Sequence, residues 1–418
     1  MESLFFTIFA KKTMNRIHSP IFNVIPMEFP KGDDYISDIE MIIMSDTGIV
    51  DAQVANMTLQ ESCMMLINAI KVFRLGFFDC AFYSLRQTIE LSIGGLFLYS
   101  NKDKIKEWNE GKDGFEKGRM TQLLKKKDAT YSDVREKLDF YFETLRNTER
   151  LIDKYVHKQG ANTFYTFQSP NAKYYQSHKK KLVDDFERFI KECIGAVAIY
   201  RLMIDPLPLL LTDEDIEMRT PDLITEPFSP GFINRYISED VVDAYKNTEL
   251  YKGYYDYFSS QEKQNDAIYN LIHYQIIDRK SFDKYIEQNH LISFHDRLAV
   301  LLTFSSAKIS NCYIMDGWLW YSTDVQSLRS KGSSIALGKM VFEKWFLNSD
   351  NFNQPFENIF ISKVNAFGET HYIEHNAPLS EQEIEVIKRF ASAINQNYDE
   401  DNKKLMEWYN SQISKASS

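Results

Sequence analysis

The stretch LDFYFETLRNTERLIDKYVH, residues 138–157, decides how the N-terminal half of this chain folds. Its apolar side chains recur at steps of three, four and seven residues, which is the spacing of one face of an α-helix. These side chains are Leu138, Tyr141, Leu145, Ile152 and Val156. A helix with one such apolar stripe needs partner helices to cover it. The stretch therefore predicts a helix that packs into a bundle.

The same helix carries a second, polar stripe. At 100° per residue, Arg146, Arg150 and His157 fall within about 40° of each other. A histidine can move a proton near neutral pH, and an arginine can hold a phosphate. Together these groups are the minimum needed to cut RNA without a metal ion. They are our candidate catalytic residues.

An ordinary helix surface also explains the same residues. In this alternative, the two arginines form ion pairs with neighbouring acids of the helix, and the histidine caps its C-terminus. The acids in question are Asp139, Glu143, Glu149 and Asp153. The spacing alone leaves both interpretations open.

Helical spacing of apolar residues extends over much of the chain, and it indicates a mainly α fold with a small α/β unit near the C-terminus. Prolines and changes of pattern suggest the boundaries between regions. The predicted regions are an N-terminal extension (1–50), a helical bundle (51–205), a linker (206–238), a helical region (239–310), a small α/β domain (311–400) and a C-terminal tail (401–418).

Turn signals define the predicted α/β unit. Asp316-Gly317 is the kind of dipeptide found in two-residue hairpins, and Gly368 lies between two further β-like segments. A helix is predicted between the two hairpins, over Ser334–Phe346. Ser380 and Glu383 have the spacing of a capping box and predict the start of a last helix. The predicted order is ββαββα.

Charge and composition narrow the class of protein. The chain of 418 residues has a formal net charge of −10, which argues against a protein that coats nucleic acid generally. A local RNA site is still compatible with this charge. In that case the run Lys125, Lys126 and Lys127 is a candidate source of phosphate contacts.

The chain has no run of about 18 apolar residues, so we predict no membrane span. Its four cysteines have no metal-type spacing, and we interpret them as buried thiols in a reducing compartment. The basic region of a signal peptide is missing from the start of the sequence. We therefore expect a cytoplasmic protein.

The segment His371-Tyr-Ile-Glu374-His375 matches the inverted zinc-protease pattern H-x-x-E-H. Zinc chemistry needs this pattern on a helix, where the two histidines lie one turn apart. Here the segment is β-like, so Glu374 would point away from the face that the histidines share. We predict no metal site, and we interpret these residues as surface or cross-strand histidines.

The bundle resembles the HEPN superfamily. The resemblance rests on a helix carrying Leu85-Arg86-Gln-Thr-Ile-Glu90, an irregular polar segment after it, and a later helix that ends in Arg150-x6-His157. It covers about residues 55–205. Members often have a polar residue directly after the motif arginine. Because Leu151 follows Arg150 while Asn147 follows Arg146, it is open which arginine matches and whether the motif is active.

The resemblance implies an N-terminal HEPN-like bundle, a homodimer, and a metal-independent endoribonuclease of a bacterial toxin or antiphage-defence system that needs no cofactor. His157 and one arginine would act on RNA, while Arg86, Glu90 and Asp153 would orient the motif helix. The alternative function is a non-catalytic sensor or scaffold that dimerises and binds a regulatory protein partner. In either case the C-terminal unit would be sensory or regulatory.

Overall fold

A computed structural model describes residues 26–160, 163–164, 175–221, 224–329 and 351–416 of the protein. The chain is mainly helical, with a small sheet in its C-terminal part. It divides into two compact units, Met1–Gln261 and Glu262–Ser418. Among the described residues, no helix is long and apolar enough to cross a membrane.

In its described part the first unit is built from helices. In chain order they are α1 (Gly32–Met44), α2 (Gln53–Arg74), α3 (Phe78–Ser100), α4 (Ile105–Asn109), α5 (Lys117–Lys127), α6 (Ala129–Lys137), α7 (Asp139–Val156), α8 (Tyr175–Leu202), α9 (Leu207–Leu210), α10 (Glu214–Glu217), α11 (Pro230–Phe232), a π-helical turn (Ile233–Ile237), α12 (Glu239–Lys246) and α13 (Glu249–Ser259).

Helix α3 is the centre of this unit and packs against α2, α5, α7 and α8. A turn at Gly76, with a φ of 88° that favours glycine, joins α2 to α3. Aromatic side chains fill the space between the helices. The rings of Phe73 and Phe186 stack with their centroids 3.8 Å apart, and Phe82 stacks on Tyr155 at 4.1 Å. This packing holds α7 against α3 and so fixes the surroundings of the candidate site.

Apolar spacing in the sequence predicts one helix over about residues 131–157, whereas the structure has two helices there. Helix α6 begins where the side chain of Asp128 accepts a hydrogen bond from the backbone N–H of Tyr131, at 2.8 Å. It ends at Leu138, which has a φ of −106° and a ψ of 27° outside the helical region. The side chain of Leu138 is fully buried. Apolar spacing continues through such a break, so the sequence pattern alone does not show it.

The boundary between the units differs from the predicted boundaries at 205, 238 and 310. Residues of the predicted linker, such as Leu209 and Phe232, are buried in the core of the first unit. The next two helices, α12 and α13, add Val241 and Tyr251 to the same core. These apolar contacts place the end of the first unit at Gln261. The predicted N-terminal extension also reaches this core, through α1.

The second unit combines helices with a six-stranded sheet. Its helices are α14 (Asp266–Tyr274), α15 (Phe282–Glu287), α16 (Phe294–Ser305) and α17 (Glu381–Ala416), and its strands are β1 (Ile276–Ile277), β2 (Ile309–Ile314), β3 (Leu319–Thr323), β4 (Gln354–Phe356), β5 (Ile359–Ala366) and β6 (Glu369–His375). The strand order is β1-β3-β2-β6-β5-β4. Strand β1 is parallel to β3, and the other pairs are antiparallel.

Both predicted hairpins are confirmed. Asp316 and Gly317, with φ of 55° and 89°, lie in the turn between β2 and β3, and Gly368, with a φ of 74°, lies between β5 and β6. The capping box is confirmed as well, because Ser380 and Glu383 each donate a backbone N–H to the other's side chain, at 2.7 and 3.3 Å. The predicted helix over 334–346 lies outside the described residues.

Two further expectations need correction. Helix α17 continues to Ala416 and therefore includes most of the region 401–418 that we expected to be a tail. Of the four cysteines, Cys63, Cys193 and Cys312 are buried as predicted, whereas Cys80 is exposed. Cys80 lies in the first turn of α3.

Candidate functional site

The candidate site lies at the C-terminal end of α7. His157 follows the last residue of this helix, and its backbone N–H donates to the carbonyl oxygen of Asp153 at 2.8 Å. The apolar stripe of α7, which includes Leu145 and Ile152, is buried against the bundle. That burial leaves the imidazole of His157 exposed at the surface.

Arg146 and Arg150 are also exposed, and both interact within their own helix. Arg146 lies 3.9 Å from the carboxylate of Asp139, and Arg150 donates to the side-chain oxygen of Asn147 at 3.4 Å. Within the described residues, neither arginine forms a hydrogen bond or ion pair with His157. The structure therefore places these two candidates along the stripe without joining them to the imidazole.

The guanidinium beside His157 belongs to Arg86, which comes from α3. Its Nη1 lies 3.2 Å from Nε2 of His157. Its Nε donates to Glu90 at 3.2 Å and lies 3.6 Å from the carboxylate of Asp153. The structure thus brings together His157 and the three residues expected to orient the motif helix.

The contact with Arg86 fixes the direction of the hydrogen bond. A guanidinium has only N–H donors, so Nε2 of His157 accepts this bond. Because the bond occupies the lone pair of Nε2, the nitrogen can take a proton from a substrate hydroxyl only after the guanidinium has turned to another acceptor, such as a phosphate.

A cavity of about 560 Å³ lies beside this cluster. Its walls come from α3, α5 and α7, which pack around it. The charged side chains that line it are two cations, Arg86 and Lys117, and four carboxylates, Glu90, Glu116, Glu149 and Asp153. Lys117 forms an ion pair with Glu149 across the cavity wall. The lining is therefore acidic overall.

Sequence reasoning missed the contribution of α5 to this cavity. Glu116 and Lys117 stand at the start of α5, in a stretch that we expected to be mostly loop. Their place in the wall depends on the packing of α5 against α3, which is a contact between distant parts of the chain. Nothing in the local pattern of residues 100–130 indicates this packing.

The basic run Lys125, Lys126 and Lys127 lies in the last turn of α5, and all three side chains are exposed. The cavity is lined by the opposite end of α5, through Lys117 and Thr121. At a rise of 1.5 Å per residue, Lys125 is about 12 Å along the helix from Lys117. A role of this run in RNA contact remains a prediction.

The H-x-x-E-H segment is part of β6, as its pattern predicted. His371 and His375 are fully buried, so the surface alternative for them is wrong. Nε2 of His371 contacts the carbonyl oxygen of Ala366 at 3.0 Å, while Nε2 of His375 contacts Ser362 at 2.8 Å. Burial lowers the pKa of both imidazoles.

Glu374 has other partners, because it points to the opposite face of the sheet. It accepts hydrogen bonds from Ser310, Asn311 and Tyr313 at 2.9–3.0 Å. Within the described residues, no group of three or more His, Cys, Asp or Glu side chains is arranged to hold a metal ion.

Comparisons with known proteins give no match: no protein-family model, no curated protein and no solved structure is similar to this chain.

Proposed function

We propose that this protein is a metal-independent endoribonuclease with a HEPN-like N-terminal bundle. His157 would be the general acid or base, and Arg86 would stabilise the charge that develops on the scissile phosphate. The observation that carries this proposal is the hydrogen bond between Arg86 Nη1 and His157 Nε2 at an exposed position. It puts a proton-accepting nitrogen and a phosphate-binding group within reach of one phosphodiester.

Two carboxylate contacts of this cluster have a positioning role in the proposal. Glu90 and Asp153 both lie beside Nε of Arg86 and would orient its guanidinium towards His157. Arg150 lies seven residues before His157 on the same stripe and would bind a more distant phosphate of the RNA chain. The setting implied by the HEPN resemblance is a bacterial toxin or antiphage-defence system.

The test is cleavage of single-stranded RNA by wild type and by variants of the cluster. Loss of one acid or base typically costs about 10²–10⁴ in rate, so His157→Ala should nearly abolish cleavage. Arg86→Ala should cost about 10²–10³, and Arg86→Lys should restore only part of this, because lysine lacks the planar fork. A chelator should have no effect, and products should end in 2′,3′-cyclic phosphate.

His290→Ala is the matched control for the histidine, since His290 is also an exposed histidine beside a carboxylate, Glu262. It should cleave at the wild-type rate. Arg150→Ala distinguishes between the two arginines. If it lowers the cleavage rate more than Arg86→Ala does, Arg150 rather than Arg86 contacts the scissile phosphate. Equal cleavage by wild type and His157→Ala would contradict the assignment altogether.

The acidic lining of the cavity favours a second candidate function, a non-catalytic sensor or scaffold. Four carboxylates against two cations repel a polyphosphate rather than attract it. If wild type neither cleaves RNA nor binds it at low salt, this candidate is preferred. The protein would then act through dimerisation and a regulatory protein partner.

Dimerisation is part of both candidates, and we predict that it uses the faces of α3 and α7. Each of these helices exposes a large apolar side chain, Tyr83 on α3 and Phe140 on α7, which are 54% and 49% exposed. A two-fold axis there would bring two copies of His157 towards one cleft. Sedimentation should show a dimer at micromolar concentration, weakened by Tyr83→Glu or Phe140→Glu. A strict monomer would exclude a composite site.

A further inference from the structure

Two adjoining cavities lie along α3. The larger is the cavity of about 560 Å³ that lies beside the Arg86–His157 cluster. The second has a volume of about 380 Å³. Both are lined by the same four residues, Arg86, Glu90, Glu116 and Lys117. Because they share these side chains, the two cavities are compartments of one depression. Its size suits a small organic molecule, for which pockets of about 300–1,000 Å³ are usual.

The larger compartment has an excess of negative charge. Its cations already have partners, since Lys117 pairs with Glu149 and Arg86 with Glu90 and Asp153. The side chain of Glu116 is exposed at the rim of the depression, and its carboxylate forms no hydrogen bond or ion pair with another described residue. Its side chain lines both compartments. A ligand with a positive charge would compensate this carboxylate, whereas an anionic ligand would meet an uncompensated excess of like charge.

A second polar group on the wall lacks a partner. The hydroxyl of Thr121 is shielded from solvent and has no hydrogen-bond partner among the described residues. Buried polar groups are normally satisfied, so an unsatisfied hydroxyl on a cavity wall indicates a missing donor or acceptor. A rotation of the Thr121 side chain would turn the hydroxyl into the larger compartment, where an ammonium group could donate to its oxygen.

The smaller compartment has several large apolar side chains on one part of its wall, in addition to the four charged residues that it shares with the larger one. These apolar side chains are Leu91, Leu98, Trp108, Phe115 and Met120. Indole and phenyl rings bind hydrocarbon, and their faces also attract a cation. The depression therefore has an apolar end and an acidic end, which meet at Arg86, Glu90, Glu116 and Lys117.

We propose that this depression is a binding site for a small amphipathic organic cation: an amine whose apolar body occupies the smaller compartment and whose ammonium group lies near Glu116 and Thr121. This inference goes beyond RNA cleavage and does not depend on it. It rests on the two adjoining cavities, the uncompensated carboxylate and the separation of apolar and acidic walls.

The experiment is isothermal titration calorimetry of the full chain with three probes that share one body: 4-phenylbutylamine, 4-phenylbutanol and 4-phenylbutyrate. The amine should bind at least about tenfold more tightly than the alcohol, because hydrogen bonds to charged groups are the stronger ones. The carboxylate should bind most weakly. Equal binding of the amine and the carboxylate, or no binding of any probe at millimolar concentration, would overturn the proposal.

Two variants locate the bound probe. Glu116→Gln should weaken the amine about tenfold and leave the alcohol almost unchanged, since it removes charge but keeps shape. Trp108→Ala should weaken both probes. Glu143→Gln is the matched control, because Glu143 is an exposed carboxylate on α7 that lines neither compartment. If both Glu116→Gln and Trp108→Ala bind the amine as tightly as wild type does, the amine does not bind at this site.

Discussion

At the scale of single residues, the two buried histidines of β6 are held in different neutral forms. His371 presents Nδ1 to the backbone N–H of Met315 at 3.1 Å, so this nitrogen must accept, and Nε2 carries the proton that it donates to Ala366. His375 has its Nδ1 against the carbonyl oxygen of Ala377 at 2.8 Å, so there Nδ1 carries the proton. Protonation of His371 would add an N–H at Nδ1, which would face the backbone N–H of Met315.

This geometry predicts an acid sensitivity of the second unit. Burial lowers the pKa of His371, so between pH 6.5 and its folded pKa the unfolded chain binds a proton that the folded chain does not. Stability is therefore complete above about pH 6.5 and falls as the pH drops below it, by at most about 1.4 kcal/mol per pH unit for one group. We expect denaturation at pH 7.5 and 5.0 to show this loss.

His371→Gln should reduce that pH dependence and leave the part that comes from the other buried imidazole, His375. It should also lower stability at every pH by about 1–3 kcal/mol because it removes two buried hydrogen bonds. His290→Gln is the control for the substitution itself, since it removes an exposed histidine and leaves both buried imidazoles of β6 in place. If His371→Gln keeps the full wild-type slope, the acid sensitivity comes from other groups.

Single residues also show which parts of the candidate site could be predicted from the sequence. Arg86 and Glu90 were recognisable because two charges at i and i+4 interrupt an otherwise apolar helix. The sequence could not show that Arg86, rather than Arg150, contacts His157. Arg86 and His157 are 71 positions apart and meet only through the packing of α3 on α7. Helical spacing in a sequence relates only residues of the same helix.

At the scale of elements, one close approach determines how α8 packs on the π-helical turn at 233–237. A β-carbon added to Gly195 would overlap the backbone carbonyl oxygen of Tyr236 and lie 3.2 Å from the hydroxyl of Tyr141. A backbone atom cannot move aside as a flexible side chain can. The glycine is therefore required by packing, although it weakens the helix itself.

We expect Gly195→Ala to lower the free energy of unfolding by about 1–3 kcal/mol, as overpacking of a core typically does. Gly253→Ala is the matched control, because Gly253 also lies within a helix but has open space around it. There the same change should stabilise the protein by about 0.5–1 kcal/mol. Urea denaturation of both variants tests this pair. A stabilising Gly195→Ala would show that α8 can move away from the turn.

The elements that the sequence predicts correctly are those with local signals. The two hairpins have glycine at their turns, and α17 has its capping box, all within a few residues. The break at Leu138 and the parallel pairing of β1 with β3 have no such signal. They follow from contacts between segments that are far apart in the chain.

At the scale of the whole molecule, the protein has separate hydrophobic cores in its two units. The main core of the first is drawn from residues 27–251, and that of the second from residues 267–394. A unit with its own core can fold alone. We therefore expect residues 1–261 and 262–418 to unfold cooperatively when expressed separately, with calorimetry of the full chain showing two transitions.

The acid sensitivity described above should appear only in the transition of the 262–418 fragment. A full chain that unfolds in one transition, together with fragments that do not fold, would contradict the division at Gln261. No local feature of the sequence marks this division, since helical patterns continue on both sides of it.

The contact between Arg86 and His157 also makes the spectroscopic signals of the imidazole sensitive to a molecule that displaces Arg86. Nε2 can accept from Arg86 only while it is unprotonated, so a change at either partner alters the electronic environment of the ring. Because Arg86 lines both compartments of the depression, a molecule that enters and displaces it will shift the aromatic proton signals of His157 in nuclear magnetic resonance spectra. An unlabelled probe can thus be detected through one exposed histidine.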